Sequence, residues 1–233
     1  MVFTIAEIGV NWDGNKKLAE EMIIEAKNAG CSAVKFQSFT EELVKGHPEK
    51  SRLMKSSITQ DNIGEISDIA KKNNIEWFCT PMYPEAVEMI NPFVTKFKIR
   101  EYDSRSILNG INNKIFEKIL KTNKEIFMSC NKSPKKLECY GNSKIKYLYC
   151  VPKYPCSLNE LEFKNLNEYD GYSNHCNHLL APLIAAFLGA KIIEIHLTSS
   201  KSKNFIDNNV SFDYNELKNC LNLISDLKNI ELD

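Results

Sequence analysis

The chain has 233 residues and a mass of 26.7 kDa, and 43% of its residues are hydrophobic. This size fits a single domain with a full core over residues 1–233. Its 30 basic and 30 acidic residues cancel, which excludes a bulk attraction to nucleic acid or to a membrane surface. No window approaches the roughly 18 apolar residues of a membrane span, and the N-terminus lacks the layout of a signal peptide. We therefore expect a cytoplasmic protein.

The chain repeats a strand followed by an amphipathic helix. The predicted strands are short runs rich in apolar residues, at 3–9, 33–38, 76–80, 96–99, 125–129, 146–150, 171–173 and 192–196. The predicted helices have apolar residues at helical spacing, at 16–29, 61–72, 84–90, 106–120, 179–188 and 213–227.

Eight strands that alternate with helices predict a parallel sheet, and their number fits a closed (β/α)8 TIM barrel. The segment after strand five contains Pro134 and Gly141, and the segment after strand six is thin. We therefore expect short or missing helices at these two places. The main alternative is an open doubly wound sheet, but no G-x-G-x-x-G motif follows the first strand.

Two of the four histidines, His175 and His196, follow or close the last two predicted strands. Glu194 lies two residues before His196 and therefore shares its strand face. Imidazoles from neighbouring strand ends can hold one divalent metal ion and leave coordination positions open for a substrate. Each histidine could equally be an ordinary polar residue at a strand end, so the pair alone leaves both interpretations open.

The polar residues at other strand ends suggest an anion-binding site, because catalytic groups of barrels lie at the C-terminal ends of strands. Lys35 and Lys98 lie among apolar neighbours, where a cation is best explained by an anionic ligand. Thr80, Ser129 and Ser173 add hydroxyl groups of the kind that a phosphate or carboxylate accepts. With a two-histidine metal, these residues suggest a phosphorylated small acid that reacts at a metal-polarised carbonyl.

A set of short motifs runs along the chain in the order of one known family. The motifs are IAEIGVN at 5–11, AVKFQSF at 33–39, Thr80-Pro81, FKI at 97–99, Cys150 with Tyr154-Pro155, GYSNH at 171–175, Ile193-Glu194 with His196, and Asp207 with Ser211. Each match is weak alone, whereas the ordered set is specific and covers essentially the whole chain. By these motifs the chain resembles the sialic acid synthases, which include N-acetylneuraminate synthase and its legionaminate, pseudaminate and spore-coat relatives.

The resemblance implies a condensation of phosphoenolpyruvate with an aldehyde sugar that is similar to N-acetylmannosamine. Water attacks C2 of phosphoenolpyruvate, C3 attacks the aldehyde, and phosphate leaves with cleavage of its C–O bond. The product is a 2-keto-3-deoxy sugar acid. A trianionic substrate requires cations, and an aldehyde that accepts a carbanion-like carbon requires a Lewis acid.

Carried over by position, the resemblance also implies roles for single residues. The charged residues Glu7, Lys35, Lys98 and Asp207 form the expected catalytic set, in which Glu7 and Asp207 contact the sugar or the attacking water. Phosphoenolpyruvate would be bound by Lys35, Thr80, Lys98, Ser129 and Ser173, with Tyr154 nearby and with Gln37 and Asp103 as further contributors. His175 and His196 would hold Mn²⁺ or Mg²⁺, which orients and polarises the aldehyde.

The chain departs from the family pattern at several positions and at its end. Glu101 stands where a serine beside the phosphate is usual, and a carboxylate there repels phosphate unless it pairs with Arg100 or points elsewhere. The sequence also stops after the barrel, whereas family members continue into a small antifreeze-like domain that contributes an arginine to the partner subunit's site. The partner hypotheses are therefore a homodimer and a separate antifreeze-like domain protein.

Two alternatives to the synthase stay open at this point. The first is a non-catalytic barrel of this family that binds an anion or a partner, as Glu101 and the absent domain suggest. The second is another phosphoenolpyruvate-dependent barrel synthase, or a lyase that uses the same metal.

Overall fold

Eight parallel strands close into a barrel in the computed structural model, which describes residues 2–229 apart from the side chain of Lys228. Each strand pairs with its sequence neighbours, and the last strand pairs with the first. The strands are β1 (Phe3–Gly9), β2 (Ala33–Ser38), β3 (Glu76–Pro81), β4 (Lys96–Ile99), β5 (Glu125–Cys130), β6 (Ile145–Tyr149), β7 (Gly171–Asn174) and β8 (Ile192–His196). The predicted barrel is therefore confirmed.

Helices cover the outside of the barrel, and among the described residues none is long and apolar enough to cross a membrane. Only 3₁₀ turns, such as Pro134–Lys136, follow β5 and β6, as expected. The α-helices are α1 (Lys16–Ala29), α2 (Glu41–Val44), α3 (Lys50–Ser56), α4 (Ile63–Lys72), α5 (Pro84–Ile90), α6 (Glu101–Leu108), α7 (Lys114–Lys121), α8 (Leu180–Phe187) and α9 (Tyr214–Asp226).

The helix predicted over 106–120 is wrong, because the structure has two helices there. α6 begins at Glu101, directly after β4, and ends before Gly110, which adopts a left-handed φ of 71°. Asn113 then caps α7, since its side chain accepts hydrogen bonds from the backbone N–H groups of Ile115 and Phe116. The early start of α6 places residues 101–105 on a helix at the mouth of the barrel.

A layer of aromatic rings crosses the interior of the barrel below the polar strand ends. Phe3, Phe78 and Phe127 come from β1, β3 and β5, and their rings pack edge to face at 5.6–5.8 Å. Since these strands are not adjacent, the rings meet inside the barrel. Residues two positions further along a strand share the same face, so Thr80 and Ser129 lie above the phenylalanine rings. The aromatic layer therefore closes the barrel beneath a polar cavity.

The contact between β7 and β8 depends on a glycine. A Cβ atom at Gly171 would lie 2.8 Å from the carbonyl carbon of Ile192 and closer still to its oxygen. Gly171 pairs with Ile192, and Ser173 pairs with Glu194 in the same register. The close approach thus brings the polar ends of β7 and β8 side by side.

Two short helices that the sequence did not predict, α2 and α3, lie in the connection between β2 and α4. Leu53 of α3 packs with Val10 and Phe39 in a small apolar cluster that is separate from the main core. Ile206, from the loop after β8, packs against the same cluster. This cluster forms part of the rim of the barrel mouth.

Candidate active site

The C-terminal ends of the strands enclose a cavity of about 400 Å³. Of the residues that the sequence predicted for the site, all but Asp103 line this cavity. The lining residues from the prediction are Glu7, Lys35, Gln37, Thr80, Lys98, Ser129, Tyr154, Ser173, His175, His196 and Asp207. Asp103 lies beside the cavity, where its carboxylate pairs with the guanidinium of Arg100.

Two lysines and two glutamates form a buried network at the floor of the cavity. Lys98 Nζ lies 2.8 Å from Glu194 Oε2, and Lys35 Nζ lies 2.8 Å from Glu7 Oε2. Lys35 is also 3.7 Å from Glu194 Oε1, so the two ion pairs are joined. Ser173 Oγ donates a hydrogen bond of 2.9 Å to Glu194. Each charge is thus compensated before any ligand binds, as buried charges require.

The network shifts the pKa values of its members in different directions. Burial opposes ionisation of Glu194, but the ammonium groups of Lys35 and Lys98 outweigh it and lower the pKa of this carboxyl. Burial also opposes the charge of Lys35, yet Glu194 and Glu7 raise its pKa. Burial lowers the pKa of Lys98. The Glu194 carboxylate opposes this shift, but the Lys35 ammonium partly cancels the effect of Glu194. An anion placed beside Lys98 would stabilise its charged form.

Sequence reasoning assigned no role to Glu194, although it connects both lysines. The available signal was its position two residues before His196 on one strand face. Strand alternation places its carboxylate inside the barrel, where only a cationic neighbour makes burial tolerable.

The imidazoles of His175 and His196 lie together, with ring centroids 5.4 Å apart. His175 Nδ1 lies 2.8 Å from the carbonyl oxygen of Val151, so Nδ1 carries the hydrogen. Its Nε2 then accepts the hydroxyl hydrogen of Tyr154 at 2.7 Å. Burial and the neighbouring His196 lower the pKa of His175 to about 3. This imidazole is therefore neutral near pH 7.

The donor chemistry of the histidine pair fits a divalent metal ion. Neutral His175 keeps a lone pair on Nε2, and His196 Nδ1 is buried without a hydrogen-bond partner. No group of three His, Cys, Asp or Glu side chains within residues 2–229 is arranged to hold a metal. Two imidazoles would therefore be the protein ligands, and the Tyr154 hydroxyl would have to leave Nε2 for coordination.

Asp207 is positioned by residues far away in the sequence. The Asn11 side chain accepts a hydrogen bond from Asp207 N and donates one to Ser211 Oγ, at 3.0 Å each. Ser211 Oγ in turn donates to the Asp207 carbonyl at 2.7 Å. The carboxylate Oδ2 then lies 3.4 Å from His196 Nδ1. Asn11 therefore ties the end of β1 to the loop that carries Asp207.

The corner between β4 and α6 adds charged groups that were not among the predicted catalytic or binding residues. Arg100, Glu101 and Arg105 all line the cavity. Glu101 pairs with Arg105, whose Nη2 lies 2.6 Å from Oε2, and not with Arg100. The reason is helical spacing, since α6 brings residues four apart together.

Comparison with known proteins assigns the family. The family model described as NeuB family matches residues 22–232 of the chain. The chain belongs to the NeuB family.

Individual similar proteins agree with this assignment. MJ1065 of Methanocaldococcus jannaschii, described as uncharacterised, is 31% identical over 240 residues, or 95% of this chain and 69% of its own. The N,N'-diacetyllegionaminic acid synthase of Legionella pneumophila is 28% identical over 261 residues, or 98% of this chain and 72% of its own. The crystal structure of an N-acetylneuraminic acid (sialic acid) synthetase from Leptospira borgpetersenii, in complex with citrate, has a TM-score of 0.86 at 26% identity. That similarity covers 100% of this chain and 87% of the synthetase.

This NeuB family chain is therefore a sialic acid synthase-like enzyme. The resemblance that the ordered motifs suggested is confirmed, and so is an enzymatic role. The family assignment does not depend on any one site residue, so the roles of these residues stay predictions.

Proposed function

We propose that the chain condenses phosphoenolpyruvate with an aldehyde sugar similar to N-acetylmannosamine, releases phosphate and forms a 2-keto-3-deoxy sugar acid. The observation that carries this proposal is one cavity that holds Lys35 and Lys98 together with His175 and His196. A polyanionic substrate needs the cations, and an aldehyde that accepts a carbon nucleophile needs its oxygen polarised. Membership of the NeuB family supports the same reaction class.

The side of the cavity formed by β3, β4 and β5 suits the phosphoryl group. Ser129 Oγ is buried and has no hydrogen-bond partner among the described residues, although it lines the cavity. A buried hydroxyl without a partner costs free energy, so a ligand oxygen is the partner that this group lacks. Thr80 and Lys98 add a hydroxyl and a cation on the same side.

Two carboxylates, Glu7 and Asp207, are the proposed groups for proton transfer. The reaction removes a proton from the attacking water and adds one to the aldehyde oxygen, so it needs a base and an acid. Glu7 is held by Gln37 Nε2 at 2.7 Å and by Lys35. Asp207 is held through Asn11 on the histidine side of the cavity.

A divalent cation, Mn²⁺ or Mg²⁺, is proposed at His175 and His196. When bound, this metal would supply a Lewis acid for the aldehyde oxygen. The chain contributes the orientation of the imidazoles, since Val151 fixes the Nδ1–H tautomer of His175. Tyr154 packs on His175 with ring centroids 4.0 Å apart and restricts its rotation.

The rim of the cavity supports an acceptor that carries an acyl group. Val10, Leu53, Met82 and Ile206 line the cavity, and they belong to or pack on the apolar cluster at the mouth. An acyl methyl group gains free energy by contact with such side chains. The polar groups lie deeper, where the aldehyde end must react.

The test is phosphate release from phosphoenolpyruvate with Mn²⁺ across a panel of N-acetylmannosamine-like and simpler aldoses. We expect release that depends on one aldose and that is lost in Lys98→Ala and in His196→Ala. Lys118→Ala is a matched control, because Lys118 forms an exposed pair with Glu88 outside the cavity.

Full activity in both site variants would refute the proposed roles. Binding of phosphoenolpyruvate without aldose-dependent release would favour the non-catalytic barrel. If no aldose in the panel supports phosphate release, an antifreeze-like domain would be added in trans, which tests that partner hypothesis directly. The homodimer is tested separately by measuring the mass in solution.

A further inference from the structure

A carboxylate and a guanidinium form a pair in the wall of the cavity at the start of α6. Both oxygens of Glu101 lie 2.9–3.0 Å from Arg105 Nε, and Oε2 also lies 2.6 Å from Nη2. The Glu101 side chain is only 9% exposed, whereas that of Arg105 is 51% exposed. Both residues line the same cavity as Lys98 and Ser129.

The pair resolves an electrostatic conflict. A bare carboxylate in this wall would repel any anion that enters the cavity, because like charges at short range disfavour each other. The bidentate contact with Arg105 cancels that charge. The hydrogen bonds that Arg105 donates to Glu101 also raise the pKa of Arg105, so the guanidinium stays charged.

Arg105 has donor capacity beyond this pair. Guanidinium groups carry five N–H donors, and Glu101 engages only those on Nε and Nη2. Within residues 2–229, Nη1 of Arg105 makes no hydrogen bond or ion pair. Arg100 differs, since it contacts Asp103 through Nε and Nη2 and the sulfur of Met82 through Nη1.

The aromatic ring of Tyr102 helps to fix the orientation of Arg105. The Arg105 Cζ atom lies 5.8 Å from the centroid of this ring, and Arg100 Cζ lies 5.0 Å from it. A guanidinium held by a carboxylate and by a ring loses less conformational entropy when it binds a ligand. The geometry therefore presents Nη1 as a preorganised donor.

We propose that Glu101 positions Arg105, and that Arg105 binds the phosphoryl group of the substrate through the Nη1 side of its guanidinium. This inference rests on the proposed function, because it names the group that the β4–β5 side of that site binds. The phosphoryl group is favoured over the substrate carboxylate because it offers three acceptor oxygens rather than two. Ser129 and Arg105, which both have unused donors, line this side of the cavity together with Lys98.

The test is direct binding of phosphoenolpyruvate and of inorganic phosphate, measured by calorimetry without an aldose. We expect Arg105→Ala to weaken both affinities on the order of tenfold, as the loss of a charged hydrogen bond does. Arg105→Lys should be intermediate, since one ammonium cannot replace the fork. Lys118→Ala is the control and should bind like the wild type.

A double variant distinguishes direct binding of the phosphoryl group by Arg105 from mere neutralisation of the Glu101 charge. If Arg105 binds the phosphoryl group, the Glu101→Gln/Arg105→Ala protein has a lower affinity for phosphoenolpyruvate and phosphate than the wild type. Its affinity is nevertheless higher than that of Arg105→Ala alone. Wild-type affinity in this double variant would show that Arg105 only cancels Glu101 and would overturn the proposal. Unchanged affinity in Arg105→Ala would overturn it as well.

The positioning role of Glu101 has its own readout. Glu101→Gln keeps the shape of the contact but weakens the hold on the guanidinium, so we expect a higher KM for phosphoenolpyruvate and a nearly unchanged kcat. An equal fall in kcat with an unchanged KM would contradict positioning. If the wild type binds phosphate but turns over no aldose, even with an antifreeze-like domain added in trans, the proposed function fails while the Arg105 proposal stands on its binding data.

Discussion

Replacement of Gly171 by alanine tests whether the approach of β7 to β8 builds the site. The added Cβ would lie 2.8 Å from the carbonyl carbon of Ile192, whereas carbon atoms pack at about 3.5–4.0 Å, so the strands must separate by roughly 1 Å. β7 cannot move freely, because Gly171 also pairs with Leu148 of β6 in the closed barrel. Overpacking typically costs about 1–3 kcal/mol, and the backbone clash places this variant at or above the upper value.

The assay is the denaturant midpoint of Gly171→Ala, together with aldose-dependent phosphate release. We expect a loss of about 3 kcal/mol and a larger loss of activity, since Ser173 and His175 follow the displaced position. The matched control is Gly64→Ala, because a Cβ at Gly64 in α4 meets nothing within 4 Å. This control should be unchanged or up to about 1 kcal/mol more stable. A Gly171→Ala protein with the midpoint and activity of the wild type would refute the reasoning.

Three further predictions concern the charges and hydrogen bonds of the cavity. Because burial lowers the pKa of Lys98, the affinity for phosphoenolpyruvate should fall as the pH rises through that lowered value and Lys98 loses its charge. In Lys98→Arg the side chain stays charged, so titration calorimetry should show an affinity that depends less on pH. Glu194→Gln leaves the buried Lys98 ammonium without its counterion, whereas Lys35 keeps Glu7, so it should cost about 3 kcal/mol in thermal unfolding, and phosphate should raise its Tm more than that of the wild type. Asn11→Ala should lower kcat through loss of the support of Asp207, with little change in phosphoenolpyruvate affinity in a direct binding assay; a normal kcat would contradict that support.

Most of the strands were predictable because they are short apolar runs, and several of them end in polar residues. β1, β2, β4 and β8 begin and end where the pattern placed them. Alternation then sets which side chains enter the barrel, so Lys35 and Lys98 could be assigned to one site before the topology was known. The site follows from the fold because all eight strand ends meet at one mouth.

The connections after the strands were less predictable, because their structure depends on contacts between distant parts of the chain. Residues 101–105 are polar and lack apolar periodicity, so no pattern indicated that α6 begins at Glu101. Without that helix, the pairing of Glu101 with Arg105 cannot be inferred. The contact between Asn11 and Asp207 joins residues 196 positions apart, and only the closed barrel brings them together.

The charge balance of the cavity links the proposed substrate-binding arginine to the proposed divalent metal. With both lysines protonated, Lys35 and Lys98 are balanced by Glu7 and Glu194, so the floor of the cavity carries no surplus positive charge. A polyanion that binds there must therefore find its counter-charge elsewhere. Ser129 Oγ and Arg105 Nη1, which have no partner among the described residues, can donate hydrogen bonds to the polyanion but cancel little of its charge. A divalent cation at His175 and His196 would supply the remaining charge, and removal of metal by a chelator should thus weaken phosphoenolpyruvate binding as well as turnover. Equal affinity with and without Mn²⁺ would show that the protein's own cations suffice.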